Sequence, residues 1–322
     1  HEDIIASLAR EVGFQCVITS GASCAVQNFT KRAHSTVVDA YLTPVVREYI
    51  GSIAAQLPQG EVLVMTSAGG LVTPHDFYGR HSLLSGPAGG FIGAATQAEM
   101  TECPAMISFD MGGTSTDVAR VYPAPPARHE FALKDIESGG DIAVQGSVVP
   151  VDTVAAGGGS VCWYDGVRLR VGPQSAGADP GPACYARGGP LTLTDVAVFL
   201  GRIPAEHFGF PLQSSAAETR LRQLRESIPH TMNIDDLATS FVGIAAVAMA
   251  EAIKGVTIRK GEAVTDSALC SFGGAGAQFA CPVAEELGIT TIHQSQFASV
   301  LSAFGMGCAR REHRAARQVA GR

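Results

Sequence analysis

The spacing of apolar residues predicts helices in five parts of the chain. They cover residues 2–12, about 35–56, the segment opened by SGPAGG at 85–90, the segment after Ser215, and 240–253. Gly13 is the expected end of the first helix. Pro44 either kinks the second helix or begins its second part.

The last two of these helices are expected to differ in their surroundings. Ser215 and Glu218 fit a capping box and predict an amphipathic surface helix. Residues 240–253 are apolar on nearly every face, which is typical of a buried helix. Lys254 and Gly255 are expected to end that helix.

Short apolar runs that enter glycine turns predict strands between the helices. They are EVLVMT at 61–66, the strand–turn–strand ISFDMGGTSTDVARV at 107–121, LCSF at 269–272 with a helix following to about Leu287, and ITTIH at 289–293. The alternation predicts an α/β protein. Residues 139–190 are rich in Gly and Pro and predict either a functional loop or a structural crossover.

Composition excludes several classes of function. The net charge of -7 over 322 residues gives no support for a nucleic-acid partner. No stretch is judged long and uniformly apolar enough for a membrane span. The eight cysteines form no CxxC pair, which is typical of reduced thiols in a cytoplasmic protein and makes a zinc site improbable. GxxxxGK, GxSxG, HExxH and dinucleotide-binding motifs are also absent.

The turn within 107–121 has the residue types that bind a polyphosphate. Gly112 and Gly113 are expected to take backbone conformations that a side chain would forbid and to let a phosphate approach closely. The turn adds three hydroxyl donors: Thr114, Ser115 and Thr116. Asp110, at the end of the first strand, is a candidate ligand of Mg²⁺ through water.

A second glycine turn follows the strand 269–272. It consists of Gly273, Gly274, Ala275 and Gly276 and leads into a helix N-terminus. Small residues there allow a flat ligand or a phosphate to lie against the backbone. Either turn alone is more often structural than functional, because glycine turns are common. The two together, with the acid and the hydroxyls, favour an ATP site.

Six segments resemble the hydantoinase A/5-oxoprolinase family: SGPAGG, DMGGTSTDV, TVAAGGGS, VGPQSAGADPGPACY, GGPLTLTD and SFGGAGAQFA. The resemblance covers about residues 1–309 and is nearest to the 5-oxoprolinase branch. It implies a partial ribonuclease-H-like domain of the actin-like ATPase/sugar kinase superfamily, with a mixed sheet and flanking helices. It also divides the chain into the end of an N-terminal domain with a linking helix (1–58), an ATPase-like domain (59–309) and an Arg-rich tail (310–322).

The resemblance further implies an enzyme that uses ATP and Mg²⁺ to phosphorylate the carbonyl of a lactam of the 5-oxoproline or hydantoin type. A hydantoinase B-type partner domain or subunit then completes the hydrolysis. Asp110 to Asp117 would form one phosphate loop, with Asp110 and Asp117 as catalytic acids, and Gly273–Gly276 would hold the nucleoside. Asp195 is a further candidate and equally a helix-capping or turn acid.

The chain departs from the family pattern in three respects. It has one acidic glycine hairpin where the family has two, so we expect another chain to supply an N-terminal ATPase half. Phe279 stands where the family usually has His, and we expect it to pack. From Arg310 the chain is Arg-rich, and we expect a solvated or frayed end, with a docking surface as the alternative.

These departures predict an oligomeric enzyme in which this chain supplies half of the nucleotide site and is inactive alone. One alternative is a non-catalytic remnant or scaffold subunit. The other is a subunit of an acetone-type ATP-dependent carboxylase.

Overall fold

The computed structural model describes residues 1–123, 132–137, 143–204, 206, 208–229, 231–258 and 261–313. The helices in these residues are α1 (Glu2–Val12), α2 (Ser20–Ser23), α3 (Phe29–Ala55), α4 (Gly86–Met100), α5 (Leu193–Phe199), α6 (Ser214–Glu226), α7 (Ile234–Ile258), α8 (Gly276–Leu287) and α9 (Leu301–Cys308). The strands are β1 (Val64–Met65), β2 (Leu71–Val72), β3 (Met106–Met111), β4 (Thr116–Val121), β5 (Ala132–Glu137), β6 (Ala143–Val148), β7 (Asp152–Val154), β8 (Ser160–Tyr164), β9 (Leu169–Ser175), β10 (Ala268–Phe272) and β11 (Ile292–Gln294).

The chain forms two compact units, each made of discontinuous segments. Unit 1 comprises His1–Gly93, Pro126–Pro150 and Ser302–Arg322, and unit 2 comprises Ala94–Pro125 and Val151–Leu301. These units do not test the predicted division at residues 58 and 309, which stays a prediction.

Unit 2 is built on a mixed five-stranded sheet of order β11-β10-β3-β4-β7. The strands β11, β10 and β3 are parallel, whereas β3, β4 and β7 pair antiparallel. Parallel neighbours need a crossover connection. The connection from β3 to β10 contains α5, α6 and α7, and the connection from β10 to β11 contains α8. The predicted mixed sheet with flanking helices is therefore confirmed.

The core of unit 2 forms around α7, which packs against β4 and α8. Leu237, Phe241 and Met249 on this helix are completely buried. The helix continues to Ile258, so the predicted end at Lys254 and Gly255 is wrong. Tertiary burial outweighs the weak stop signal of a single glycine.

The prediction that no stretch has the character of a membrane span is also wrong. Ile234–Thr257 is long and apolar enough to cross a membrane by length and composition, and half of its most apolar window is buried inside the protein. The correction has a physical reason. A helix that is packed into the core of a domain needs apolar residues on most of its faces.

For the first two predicted helices, one boundary is confirmed and one is wrong. Gly13 ends α1 in a left-handed conformation, as predicted. The helix predicted from 35 begins at Phe29, capped by Asn28, and contains Pro44. Its earlier start reflects that cap.

Three short-range predictions were wrong or too long. Gln213 precedes α6 without a side-chain cap, so the predicted capping box of Ser215 and Glu218 is not formed. The strands predicted at 61–66 and 289–293 are limited to two and three residues in β1 and β11. Strand length depends on the partner strand, which a local apolar run does not encode.

The described residues 310–313 of the Arg-rich tail pair with β2 through their backbone, while Arg310, Arg311 and His313 stay exposed. Leu71 N–H donates to the carbonyl of Arg310 at 2.9 Å, and Glu312 N–H donates to the carbonyl of Leu71 at 2.9 Å. The guanidinium of Arg311 also pairs with the carboxylate of Glu61. The edge of β2 thus provides the backbone partners that the composition of the tail did not indicate.

Within unit 1, glycines let α9 cross the first half of α4 with the two backbones in contact. A Cβ on Gly305 of α9 would overlap the carbonyl oxygen of Gly89 and lie 2.5 Å from the amide nitrogen of Gly93, both on α4. A Cβ on Gly89 would in turn lie 2.6 Å from the carbonyl oxygen of Ser302. The crossing therefore requires glycine on both helices.

We expect Gly305→Ala to lower the free energy of unfolding by about 1–3 kcal/mol, because the added methyl must push two backbones apart. Gly307→Ala is the matched control, since it lies on the same helix with no atom within 4 Å of a Cβ. It should be neutral or stabilising by up to about 1 kcal/mol, from helix propensity. Urea denaturation measures both changes, and equal stability of the two variants would contradict the crossing.

Candidate functional site

The two predicted turns lie at the same end of two adjacent strands in unit 2. Asp110 on β3 stands opposite Phe272 on the parallel strand β10, and opposite Asp117 on the antiparallel strand β4. The turn 112–115 and the turn 273–276 both follow at this end of the sheet. The carboxyl edge of parallel strands is where α/β proteins commonly bind ligands.

A third glycine loop, Gly157–Gly159, is joined to the first turn through backbone hydrogen bonds. Gly158 N–H donates to the carbonyl of Gly112 at 2.9 Å, and Gly159 N–H donates to the carbonyl of Gly113 at 2.6 Å. On the other side, Ala275 N–H donates to the carbonyl of Met111 at 2.9 Å. The hairpin is therefore held between the other two loops.

Sequence reasoning did not assign Gly157–Gly159 to the site. The segment TVAAGGGS was noted for its glycines and for its resemblance to the family, and three successive glycines after the short strand β7 were the available signal. The start of α5 also holds this loop, because Thr194 N–H donates to the carbonyl of Gly158 at 2.7 Å.

Two glycines of the site are required by the close approach of these loops. A Cβ on Gly273, whose φ is +81°, would overlap the carboxylate of Asp110 and lie 2.5 Å from the carbonyl oxygen of Met111. A Cβ on Gly157 would lie 2.7 Å from the amide nitrogen of Ser115. Both distances are far below van der Waals contact, so a side chain at either position would separate the loops.

Other glycines of the site are not required by the fold. Gly112, Gly113 and Gly274 are outside the left-handed region, so the expected special conformation of Gly112 and Gly113 is wrong. A Cβ on Gly113 or Gly274 would meet no atom within 4 Å, and both residues are exposed. Their lack of a side chain leaves open space along the backbone, where a ligand can approach closely.

The three hydroxyl residues of the first turn differ in their surroundings. Thr116 is completely buried, and its hydroxyl donates to the carbonyl of Ala156 at 2.5 Å, so it joins β4 to the third loop. Thr114 is exposed and Ser115 is half-buried. The hydroxyls of Thr114 and Ser115 therefore lie where a ligand at the turn can reach them.

Asp110 and Asp117 form a half-buried acidic pair. Burial, and then the charge of Asp117, raise the pKa of the Asp110 carboxyl to about 6. Asp117 is held by Thr153, whose hydroxyl donates to its Oδ1 at 2.6 Å. A strongly raised pKa at the open end of a sheet is typical of a functional acid.

The donor set of this pair fits Mg²⁺. Carboxylate oxygens are the ligands that Mg²⁺ prefers, and the ion usually keeps several waters or substrate phosphates as its other ligands. Among the described residues no group of three or more His, Cys, Asp or Glu side chains could enclose a metal. Two acids beside an open turn therefore suit an ion that brings its own waters and phosphate oxygens.

The first residues of α8 provide the other side of the turn. A Cβ on Gly276 would lie 2.9 Å from the Oγ of Ser271, which is buried without a hydrogen-bond partner in the described structure. The N-terminus of a helix presents backbone N–H groups without intrahelical partners. This end of α8 is therefore rich in donors and poor in side chains.

Asp195 is a structural acid. It is completely buried, and its carboxylate accepts hydrogen bonds from the N–H groups of Ala183 at 3.0 Å, Cys184 at 2.7 Å and Thr192 at 2.8 Å. It also completes a capping box with Thr192 at the start of α5. These contacts support the structural alternative of the sequence analysis.

Phe279 packs, as expected. Only 1% of its surface is exposed, and it belongs to the core cluster with Phe109 and Phe241. A histidine at this position of α8 would have to find a polar partner inside that apolar cluster. The substitution of the family residue is therefore compatible with this core.

Comparison with known proteins gives consistent results. The profile of the family described as Hydantoinase/oxoprolinase matches residues 32–315. The 5-oxoprolinase of Saccharomyces cerevisiae is 42% identical over an alignment 322 positions long, which covers 95% of this chain and 25% of that protein. The chain thus spans about a quarter of the length of this relative.

Two solved structures share the fold. The ATP-dependent caprolactamase from Pseudomonas jessenii superposes with a TM-score of 0.79 at 29% identity, over 95% of this chain and 45% of that one. A nucleotide-free acetone carboxylase superposes with a TM-score of 0.75 at 23% identity, over 96% of this chain and 44% of that one, a likeness that extends to the fold alone. The predicted ribonuclease-H-like, actin-like ATPase fold is thereby confirmed.

We expect Asp110→Asn to stabilise the chain above pH 6. A carboxyl whose pKa rises from 3.8 to about 6 on folding stabilises the protein at low pH, and this contribution is lost as the pH rises through 6. After discounting for partial exposure, removing the charge should add about 1–2 kcal/mol to the free energy of unfolding at pH 8. The gain should shrink toward pH 4, as measured by urea denaturation.

Asp165→Asn is a control of opposite sign for this measurement. The N–H of Arg168 and then the guanidinium of Arg170 lower the pKa of the Asp165 carboxyl to about 2. Its contribution is present above the unfolded pKa, so its removal should lower stability at pH 8. A stability gain in both variants, or in neither, would contradict the assigned origin of the Asp110 shift.

Proposed function

Because the chain belongs to the hydantoinase/oxoprolinase family, we propose that it forms one wall of an ATP site. The enzyme would activate the carbonyl of a cyclic amide by phosphorylation and then hydrolyse it. The observation that carries this proposal is the open backbone of the turns 112–115 and 273–276 beside the acidic pair Asp110 and Asp117. We refer to these two turns as the cradle. Gly113 and Gly274 are glycines that the fold does not require, and they flank the half-buried acid Asp110.

Each part of the cradle has a chemical role in the proposal. The backbone N–H groups of the turn 112–115, with the hydroxyls of Thr114 and Ser115, bind phosphate oxygens. The small residues Gly273–Gly276 hold the nucleoside beside the N-terminus of α8. Asp110 and Asp117 hold Mg²⁺ through its waters, and the bound ion neutralises charge on the transferred phosphoryl group.

The raised pKa of Asp110 makes this assignment sensitive to pH. Above pH 6 the carboxylate is ionised and repels Asp117, so a cation at the pair is favourable. Below pH 6 Asp110 holds a proton at one carboxyl oxygen, and the attraction for a cation falls. The proposed site therefore binds Mg-ATP best above pH 6.

The proposed cyclic-amide substrate is supported by the relatives and not by the cradle itself. A 5-oxoprolinase 42% identical to this chain and a caprolactamase of the same fold both act on lactams, as their names state. The likeness to acetone carboxylase adds no support for carboxylation, because it extends to the fold alone.

We propose that polypeptide other than the residues of this chain supplies the second phosphate loop and the hydrolytic step. The chain spans about a quarter of the yeast relative, and phosphoryl transfer needs charge neutralisation around the whole γ-phosphate. We therefore assign the second phosphate loop to an N-terminal ATPase half and the hydrolytic step to a hydantoinase B-type partner, in a cytoplasmic oligomer.

We expect Gly113→Ala and Gly274→Ala each to weaken binding of Mg-ATP about tenfold, or about 1.4 kcal/mol, because a methyl fills the space left for the ligand. Isothermal titration calorimetry at pH 8 measures the affinity. Neither change should lower stability, since a Cβ at both positions meets open space.

Gly209→Ala is the matched control for this titration. It is another exposed glycine with no atom near a Cβ, and it lies outside the three loops. It should leave the affinity unchanged, whereas Asp110→Ala should weaken it. An absence of binding heat for the wild-type chain mixed with the N-terminal ATPase half, or wild-type affinity in all four variants, would reject the proposed cradle and favour the scaffold alternative.

A further inference from the structure

One face of α3 in unit 1 exposes large apolar side chains to solvent. Val37, Tyr41, Val45 and Tyr49 are 66%, 78%, 64% and 67% exposed. They are four residues apart, so they lie one above the other along about 18 Å of the helix. We refer to these four residues as the α3 stripe.

The opposite face of α3 carries three buried polar residues, and their hydrogen bonds fix the rotation of the helix. The hydroxyl of Ser35 accepts from Gln145 N–H at 3.0 Å, and the hydroxyl of Thr43 accepts from Gly79 N–H at 2.9 Å. Between them, the buried carboxylate of Asp39 accepts from the hydroxyl of Ser23 at 2.6 Å.

This arrangement is the reverse of an ordinary surface helix. Polar residues normally face water and apolar residues face the core. Turning α3 to bury its apolar stripe would leave the Asp39 carboxylate without these partners. The polar contacts therefore keep the stripe outward, which indicates that the stripe is an interface and not part of a misplaced core.

The composition around the stripe narrows the kind of partner. Between residues 35 and 56 the charged residues are Asp39, Arg47 and Glu48, and Asp39 is buried. The two exposed charges have opposite sign, so this length of α3 has no excess of cations for nucleic acid or an anionic membrane. Tyrosine is enriched among residues that dominate the affinity of protein interfaces.

We propose that the α3 stripe binds the remaining polypeptide of the family's ATPase through an apolar protein face. The family profile matches from residue 32, so the α3 stripe lies within the family segment, and three quarters of the yeast relative lie outside the matched part. The polypeptide that corresponds to these unmatched three quarters is the partner that we assign to the stripe. The choice of partner rests on the proposed function, whereas the exposed stripe itself does not.

The test measures binding between the full chain and a probe. The probe is the S. cerevisiae 5-oxoprolinase from which the quarter that matches this chain is deleted. The matching quarter of the yeast protein, added back separately, shows that the probe is folded and competent. Biolayer interferometry then compares the wild-type chain with Tyr41→Lys/Val45→Lys. We expect the wild-type chain to bind and the double variant to bind at least tenfold more weakly.

Val167→Lys is the matched control, because Val167 is 86% exposed on a hairpin of unit 2. It should bind like the wild type. All these side chains are exposed, so both variants should keep the thermal midpoint of the wild type, and the double variant should keep its Mg-ATP affinity. That titration separates failure of the stripe from failure of the proposed nucleotide site.

Several outcomes would overturn the proposal. Two of them concern the probe: the wild-type chain does not bind a competent probe, or the double variant binds it as well as the wild type does. A third is a wild-type dimer in sedimentation that the double variant converts to monomer. A fourth is binding of the wild-type chain to phosphatidylcholine vesicles that the double variant loses. The last two would assign the stripe to a second copy of the chain and to a lipid surface.

Discussion

The candidate site depends on three loops that lie backbone against backbone beyond the end of β3. The carbonyls of Met111, Gly112 and Gly113 each accept a hydrogen bond, the first from Ala275 and the others from Gly158 and Gly159. Such contact leaves no room for a Cβ at the crossing points. It also fixes the hairpin, the third loop and the start of α8 as one arrangement within unit 2.

This constraint divides the glycines of the site into two classes. Gly157 and Gly273 make the loop contacts possible, so their role is structural. Gly113 and Gly274 face open space in conformations that other residues adopt, so the fold gives no reason for glycine there. A ligand that approaches the backbone closely does give one. The steric surroundings of each glycine, and not glycine content alone, thus carry the functional conclusion.

The parts of the fold that were predicted correctly are those that a local pattern encodes. The hairpin at 107–121 and the strand–turn–helix at 268–287 follow from apolar runs that end in glycine. The contact of Gly157–Gly159 with the hairpin joins distant segments and has no local signal. The end of α7 was missed for a related reason, because the burial of Val256 and Thr257 extends the helix past Gly255. The roles of Asp110 and Asp117 stay predictions from residue type.

Two features of the chain are unfavourable for the chain alone, and both become favourable with a partner. In unit 2, burial and Asp117 disfavour the ionised form of Asp110, and a cation would reverse that effect. In unit 1, hydrogen bonds at Asp39 hold an apolar stripe in water, and a protein face would remove it from water. A partner that binds only the folded chain adds its binding free energy to the stability of the fold. The stability of unit 2 therefore depends in part on the binding of a cation and nucleotide at Asp110. The stability of unit 1 depends in the same way on the binding of further polypeptide at the α3 stripe.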